Sequence, residues 1–183
     1  MTEALIVIDV QESFRVRESW ADISDPDIAT PVGTLVDHAR ARGDLVVWVL
    51  HSEPGTGGAF DPVNGHVRLI DGLVPAAGEP TLTKTAHNAF TTTDLQRMLT
   101  VRGVRGLRVC GIRTEQCCET TARVASDLGY DVTFVTDATA TSPITHWRTG
   151  AVLSTPEIIE RTEYALAGRF ATVATVAEVT GLR

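Results

Sequence analysis

The chain has 183 residues, 43% hydrophobic and 21% charged, which suits one globular domain with a substantial core. Its formal net charge of -7 argues against nucleic acid or an anionic membrane as a main partner. Three cysteines without a framework of spacings argue against a disulfide scaffold, and MTEALIVIDV carries no basic leader, so a cytoplasmic location is expected. Along the chain, ALIVI (4–8) reads as a buried strand ending at Asp9. A helix signal follows. Thr30 can cap it and Pro31 fits its first position. Val32, Leu35, Val36 and Ala39 repeat at helical spacing, and Gly43 stops it. LVVWVL (45–50) is a second strand, far too short to cross a bilayer. A Gly/Pro-rich segment, 51–66, is long for a loop and therefore a candidate functional one.

TLTK (Thr81–Lys84) reads as a third strand. Thr91 and Asp94 can form a capping box for a helix with Leu95, Met98 and Leu99, stopped at Gly103. LRVCGI (107–112) is a fourth strand. Thr114 can cap the next helix, which carries Cys117 and Cys118 and ends at Gly129. VTFVT (132–136) is a fifth strand. A helical pattern runs from about His146 and restarts at Ser154-Thr155-Pro156. A last strand, 171–175, precedes a short helix capped by Thr175 and Glu178. Strands alternating with helices predict an α/β fold: one domain, 1–183, with a six-stranded parallel sheet between two helical layers. Ligands of such sheets bind beyond the carboxyl ends of the strands, where strand order reverses.

The residues at those ends are Asp9 to Gln11, His51 to Glu53, Lys84, Arg113 to Cys117, and Asp137. Cys117 would stand in the first helical turn, where free N–H groups and the dipole favour a thiolate and could receive an oxyanion. It could equally be a small buried hydrophobe. Cys118, about 100° further round the axis, falls on a small-residue stripe with Ala122, Ala125 and Gly129 and reads as core, as does Cys110. Asp9 reads either as a turn cap or as a proton acceptor for a nearby thiol. Lys84 reads as solvated or as the partner that keeps Asp9 ionised. His38 falls on a polar helix face. His51 and His66 bracket the Gly-rich segment and suit a substrate or structural role better than a metal. Phe14, Trp20, Phe60 and Trp147 could line a pocket or be plain core. No G-x-G-x-x-G, Walker A or G-x-S-x-G stretch is present.

Three stretches, ALIVIDVQESF, TLTKTAHNAF and VCGIRTEQCCETTARVASDLGYDVTFVTDA, together resemble the isochorismatase-like cysteine hydrolases, which include nicotinamidases and N-carbamoylsarcosine amidases. The resemblance implies an aspartate, lysine and cysteine set at Asp9, Lys84 and Cys117. It also implies a non-proline cis peptide at Ile112–Arg113, with backbone N–H groups of Arg113 and Cys117 turned to an oxyanion. Arg113 departs from the small residue usual there and could meet a substrate carboxylate. Gln11, Phe14 and His51 are further candidates for substrate contact. Nicotinamidases carry an Asp-x-His metal motif after the second strand. Here it reads Val49-Leu50-His51, so no metal is expected, and no cofactor. The implied activity is C–N bond cleavage in a small metabolite through a thioester, in a homo-oligomer, dimer or tetramer. The rivals are a vinyl-ether hydrolase with Asp9 as general acid, and a non-catalytic thiol-bearing binding protein.

Overall fold

A computed structural model of the chain describes residues 2–181. In chain order the elements are β1 (Thr2–Ile8), α1 (Glu12–Arg15), α2 (Ala29–Arg42), β2 (Leu45–His51), β3 (Thr81–Lys84), α3 (Leu95–Val101) and β4 (Val104–Ile112). A π-helical turn (Thr114–Cys118) then leads into α4 (Glu119–Asp127). After it come β5 (Asp131–Ala140), β6 (Ile144–Thr145), β7 (Val152–Leu153), α5 (Thr155–Leu166), β8 (Thr172–Ala174) and α6 (Val176–Thr180). Six strands form one parallel sheet in the order β3-β2-β1-β4-β5-β8, the architecture expected from the alternation of elements.

Strand β1 shows why apolar runs rather than alternating patterns mark this sheet. Leu5 and Val7 point to one face, where they meet Val32, Leu35, Val36 and Ala39 of α2. Ala4, Ile6 and Ile8 point to the other, among Leu95 and Leu99 of α3, Ala122 and Ala125 of α4 and Leu166 of α5. All five β1 residues are fully buried, and each Leu, Ile or Val so placed stabilises the fold by about 1.5–3 kcal/mol. Sequence order runs outward from β1 to β3 on one side and from β4 to β8 on the other. The switch point therefore lies between the carboxyl ends of β1 and β4.

Several local expectations need correction. Residues from His146 form no helix. They close a two-stranded antiparallel hairpin, with Ile144 opposite Leu153 and Thr145 opposite Val152. The His146 ring explains the turn: Nδ1 accepts from the backbone N–H groups of Arg148 and Thr149, both at 3.2 Å, and Gly150 supplies a φ of 72°. Helix α2 starts one residue before Thr30, with Ile28 at its N-cap. A turn held by Asp25, whose carboxylate accepts from Asp27 N at 2.8 Å, leads the chain into it early. The Thr91–Asp94 box does not form. Thr91 is bonded to Asn88, Asp94 pairs with Arg97, and Thr93 caps Leu95 N. The boxes at Ser154/Glu157 and Thr175/Glu178 are both present, opening α5 and α6.

Candidate active site

Two backbone features bring the ends of β1 and β4 together. Asp9 adopts φ 53°, a left-handed conformation that Asp tolerates better than branched residues, and its N–H donates to Val49 O at 2.8 Å. Gly111 has φ 128°, and a Cβ there would lie 1.9 Å from Ile8 O, so only glycine permits this strand approach. After Gly111 the Ile112–Arg113 peptide is cis, and the π-turn follows. Thr114 does not cap that turn. Its hydroxyl donates to Thr139 Oγ1 at 2.9 Å, Arg113 takes the N-cap position, and Arg113 O accepts from both Gln116 N and Cys118 N at 3.2 Å. The extra residue per turn is characteristic of π-bulges at functional sites.

Asp9, Lys84 and Cys117 converge at this point. Lys84 Nζ lies 2.7 Å from Asp9 Oδ2 and donates to Cys117 Sγ at 3.4 Å. Its third neighbour is His51 Nδ1 at 3.2 Å, reached because β2 and β3 place His51 opposite Lys84. The Asp9 contact is a short ion pair with no exposed surface on either side chain. Asp9 and Lys84 are fully buried and Cys117 is 6% exposed. Surface hollows of about 370 and 290 Å³ open elsewhere and share no residue with this cluster.

Burial governs the protonation of the cluster. Desolvation raises Asp9 above the usual carboxylate range, against the attraction of Lys84, which lowers it. Cys117 is pushed up to about 12, first by burial and then by the Asp9 charge, with Lys84 only partly offsetting them. Burial thus works against the thiolate that the helix start favours. Cys118 and Cys110 are raised by burial too. Cys118 packs with Ala122 and Ala125 on one face of the sheet and Cys110 on the other, both fully buried in core as expected.

The remaining candidates are placed as follows. Gln11 spends its amide on the His51 backbone, accepting from His51 N at 2.7 Å and donating to His51 O at 3.0 Å, so it holds the end of β2. Phe14 and Phe60 are buried edge to face at 4.9 Å, and Phe60 also meets the His51 ring at 5.4 Å. Phe60 comes from the Gly-rich segment, which bonds to itself: Asp61 accepts from Gly57 N and Val63 N, and Asn64 donates to two glycine carbonyls. The Arg113 side chain is tied to Glu115, Thr141 and Ser142 O at 3.4, 3.3 and 2.5 Å. Trp20 is half-buried and Trp147 is 82% exposed on the hairpin. His38 is half-buried with Nε2 enclosed, not on a solvated face. Glu53 stood among the strand-end residues without a role, and His87 was given none. Glu53 Oε1 lies 3.2 Å from His51 Nε2, and the His87 ring stacks parallel to His51 at 6.3 Å. His-x-Glu spacing at the β2 end was the available signal for Glu53.

The residues do not fit the divalent metal that some members of the resembling family hold. Val49 occupies the aspartate position of the Asp-x-His motif, and both His51 ring nitrogens already face protein partners. No group of three or more His, Cys, Asp or Glu is placed to hold a metal ion among the described residues.

The fold and this cluster define a parallel-sheet α/β protein with a buried Asp9–Lys84–Cys117 cluster at its switch point. The isochorismatase domain model matches residues 3–177, and the chain belongs to the isochorismatase family of hydrolases. A hydrolase of that family from Chromobacterium violaceum superposes with a TM-score of 0.91 at 26% identity, covering 98% of this chain and 92% of that one. A cysteine hydrolase from Pseudomonas syringae pv. phaseolicola gives 0.86 at 27% identity, over 98% and 91%. Streptothricin hydrolase of Streptomyces noursei is 35% identical over 144 residues, which are 78% of this chain and 56% of that protein.

Proposed function

We propose that the chain is a cysteine hydrolase that cleaves a C–N bond, amide or carbamoyl, of a small metabolite through a thioester. The observation that carries this reading is the meeting of Cys117 Sγ, Lys84 Nζ and Asp9 Oδ2 in one closed site. Asp9 takes the thiol proton as Sγ attacks the carbonyl carbon. The proton moves within the site, so the net charge of the buried cluster does not change, and Lys84 faces the negative charge on either side of the transfer. Backbone N–H groups of Arg113 and Cys117 receive the oxyanion at the start of the helical segment. Asp9 then gives its proton to the leaving nitrogen and the C–N bond breaks. Water, deprotonated by Asp9, attacks the thioester and restores the Cys117 thiol. Similarity to a cysteine hydrolase and to streptothricin hydrolase supports this chemistry.

A second reading has its own support. The full burial that raises Asp9 suits a carboxylic acid that protonates an enol ether without a covalent step. Steady-state rates on a panel of amides, carbamoyl compounds and enol ethers separate the two. The thioester reading expects both Cys117→Ala and Asp9→Asn to lose about a thousandfold or more in kcat/KM on an amide. Loss in Asp9→Asn alone, on an enol ether, would replace it with the second. A reactive thiol with no turnover on any class would refute both.

A further inference from the structure

We propose that His51 is a positioning residue for Lys84, held as the neutral tautomer with its proton on Nε2 and a bare Nδ1 facing the ammonium. An ammonium has three protons and accepts none. Lys84 Nζ has three partners, Asp9 Oδ2 at 2.7 Å, His51 Nδ1 at 3.2 Å and Cys117 Sγ at 3.4 Å. Nδ1 can join that set only through its lone pair. On the far side of the ring, Nε2 faces the carboxylate oxygen of Glu53 at 3.2 Å, which calls for an N–H there. The two neighbours thus specify the same tautomer independently.

The ring has little freedom to turn away. Phe60 meets it nearly edge-on, with 70° between the planes, and His87 lies parallel to it within 6°. The peptide groups of His51 are held on both sides by the Gln11 amide. The order of support therefore runs from Gln11 to the His51 backbone, from Glu53 to the ring proton, and from Nδ1 to Lys84. Loss of the Nδ1 anchor frees Nζ to shift relative to Cys117 Sγ, which it meets at 3.4 Å. With both nitrogens engaged, His51 has no donor or acceptor left for a substrate, which replaces the substrate contact expected from sequence.

The inference rests on reading Cys117 as the reacting thiol, but its test needs no turnover. Alkylation of Cys117 by iodoacetamide, assigned by peptide mass, reports on the thiolate that Lys84 supports. His51→Leu removes the Nδ1 lone pair, whereas His51→Asn places an amide oxygen near the same point. The expected result is alkylation slowed by about tenfold in His51→Leu and restored to within about threefold of wild type in His51→Asn. Imidazole nitrogen NMR of the wild-type protein should show His51 neutral with its proton on Nε2. Equal rates in His51→Leu and wild type, a His51→Asn variant as slow as His51→Leu, or a proton on Nδ1 would overturn the proposal. Absence of amide turnover alongside the expected alkylation pattern would remove the reaction assignment and leave the positioning role standing.

Discussion

Asp9 and Lys84 are an ion pair with no exposed surface, and such pairs stabilise a fold poorly because both charges are desolvated. Breaking one partner leaves a buried charge alone. The single variants Asp9→Asn and Lys84→Met should each lose about 3–5 kcal/mol, whereas the double variant, with no charge left alone, should be more stable than either single. Urea unfolding of the three variants checks this, and a double variant less stable than both singles would contradict it. That a stability cost is retained here is consistent with a site held for chemistry. Asp9, Lys84 and Cys117 were singled out by the family resemblance, at the end of β1, at the last residue of β3 and in the turn after β4. The protonation of the site was not legible in the sequence, since it depends on burial that only the assembled sheet creates. The Gln11–His51 clamp was equally hidden, because its partners lie 40 residues apart.

Among the elements, the loop before β3 is fastened to α2 by Glu79. Its carboxylate accepts from Arg40, from Trp48 Nε1 at 2.8 Å and from Ala76 N at 2.8 Å, and these contacts, Arg40 foremost, lower it to about 2. A depressed carboxylate stabilises the fold above its unfolded value, near 4.5, and that contribution is lost as pH falls toward 2. Wild type should therefore lose stability over this window while Glu79→Gln, less stable at neutral pH by about 1–3 kcal/mol, shows a flatter profile. Parallel pH titrations of the unfolding midpoint measure it, and identical slopes would reject the assignment. The strands were read well because burial on both faces writes a continuous apolar run. The helix starts were read less well. Thr114 has the composition of a cap, yet its hydroxyl is committed to Thr139, 25 residues away. The hairpin at Ile144–Leu153 was hidden because a histidine ring, not an Asn-Gly turn, closes it.

At the scale of the molecule, four strand ends of one sheet supply the site, from β1, β2 and β3 and from the turn after β4. Its geometry is therefore set by how closely β4 lies against β1, which Gly111 permits. Gly111→Ala should cost about 3 kcal/mol or more, through the clash with Ile8 O and the positive φ, and should abolish activity in whatever fraction remains folded. A Gly111→Ala protein with wild-type stability and rate would show that the strand approach does not set the site. The central claim is that Cys117 forms a covalent acyl intermediate. Intact-mass spectrometry of a reaction quenched during turnover of an amide substrate tests it most directly. The account predicts an added acyl mass located on the peptide containing Cys117 and absent from Cys117→Ala. Turnover with no acyl adduct, and with the rate kept in Cys117→Ala, would contradict it.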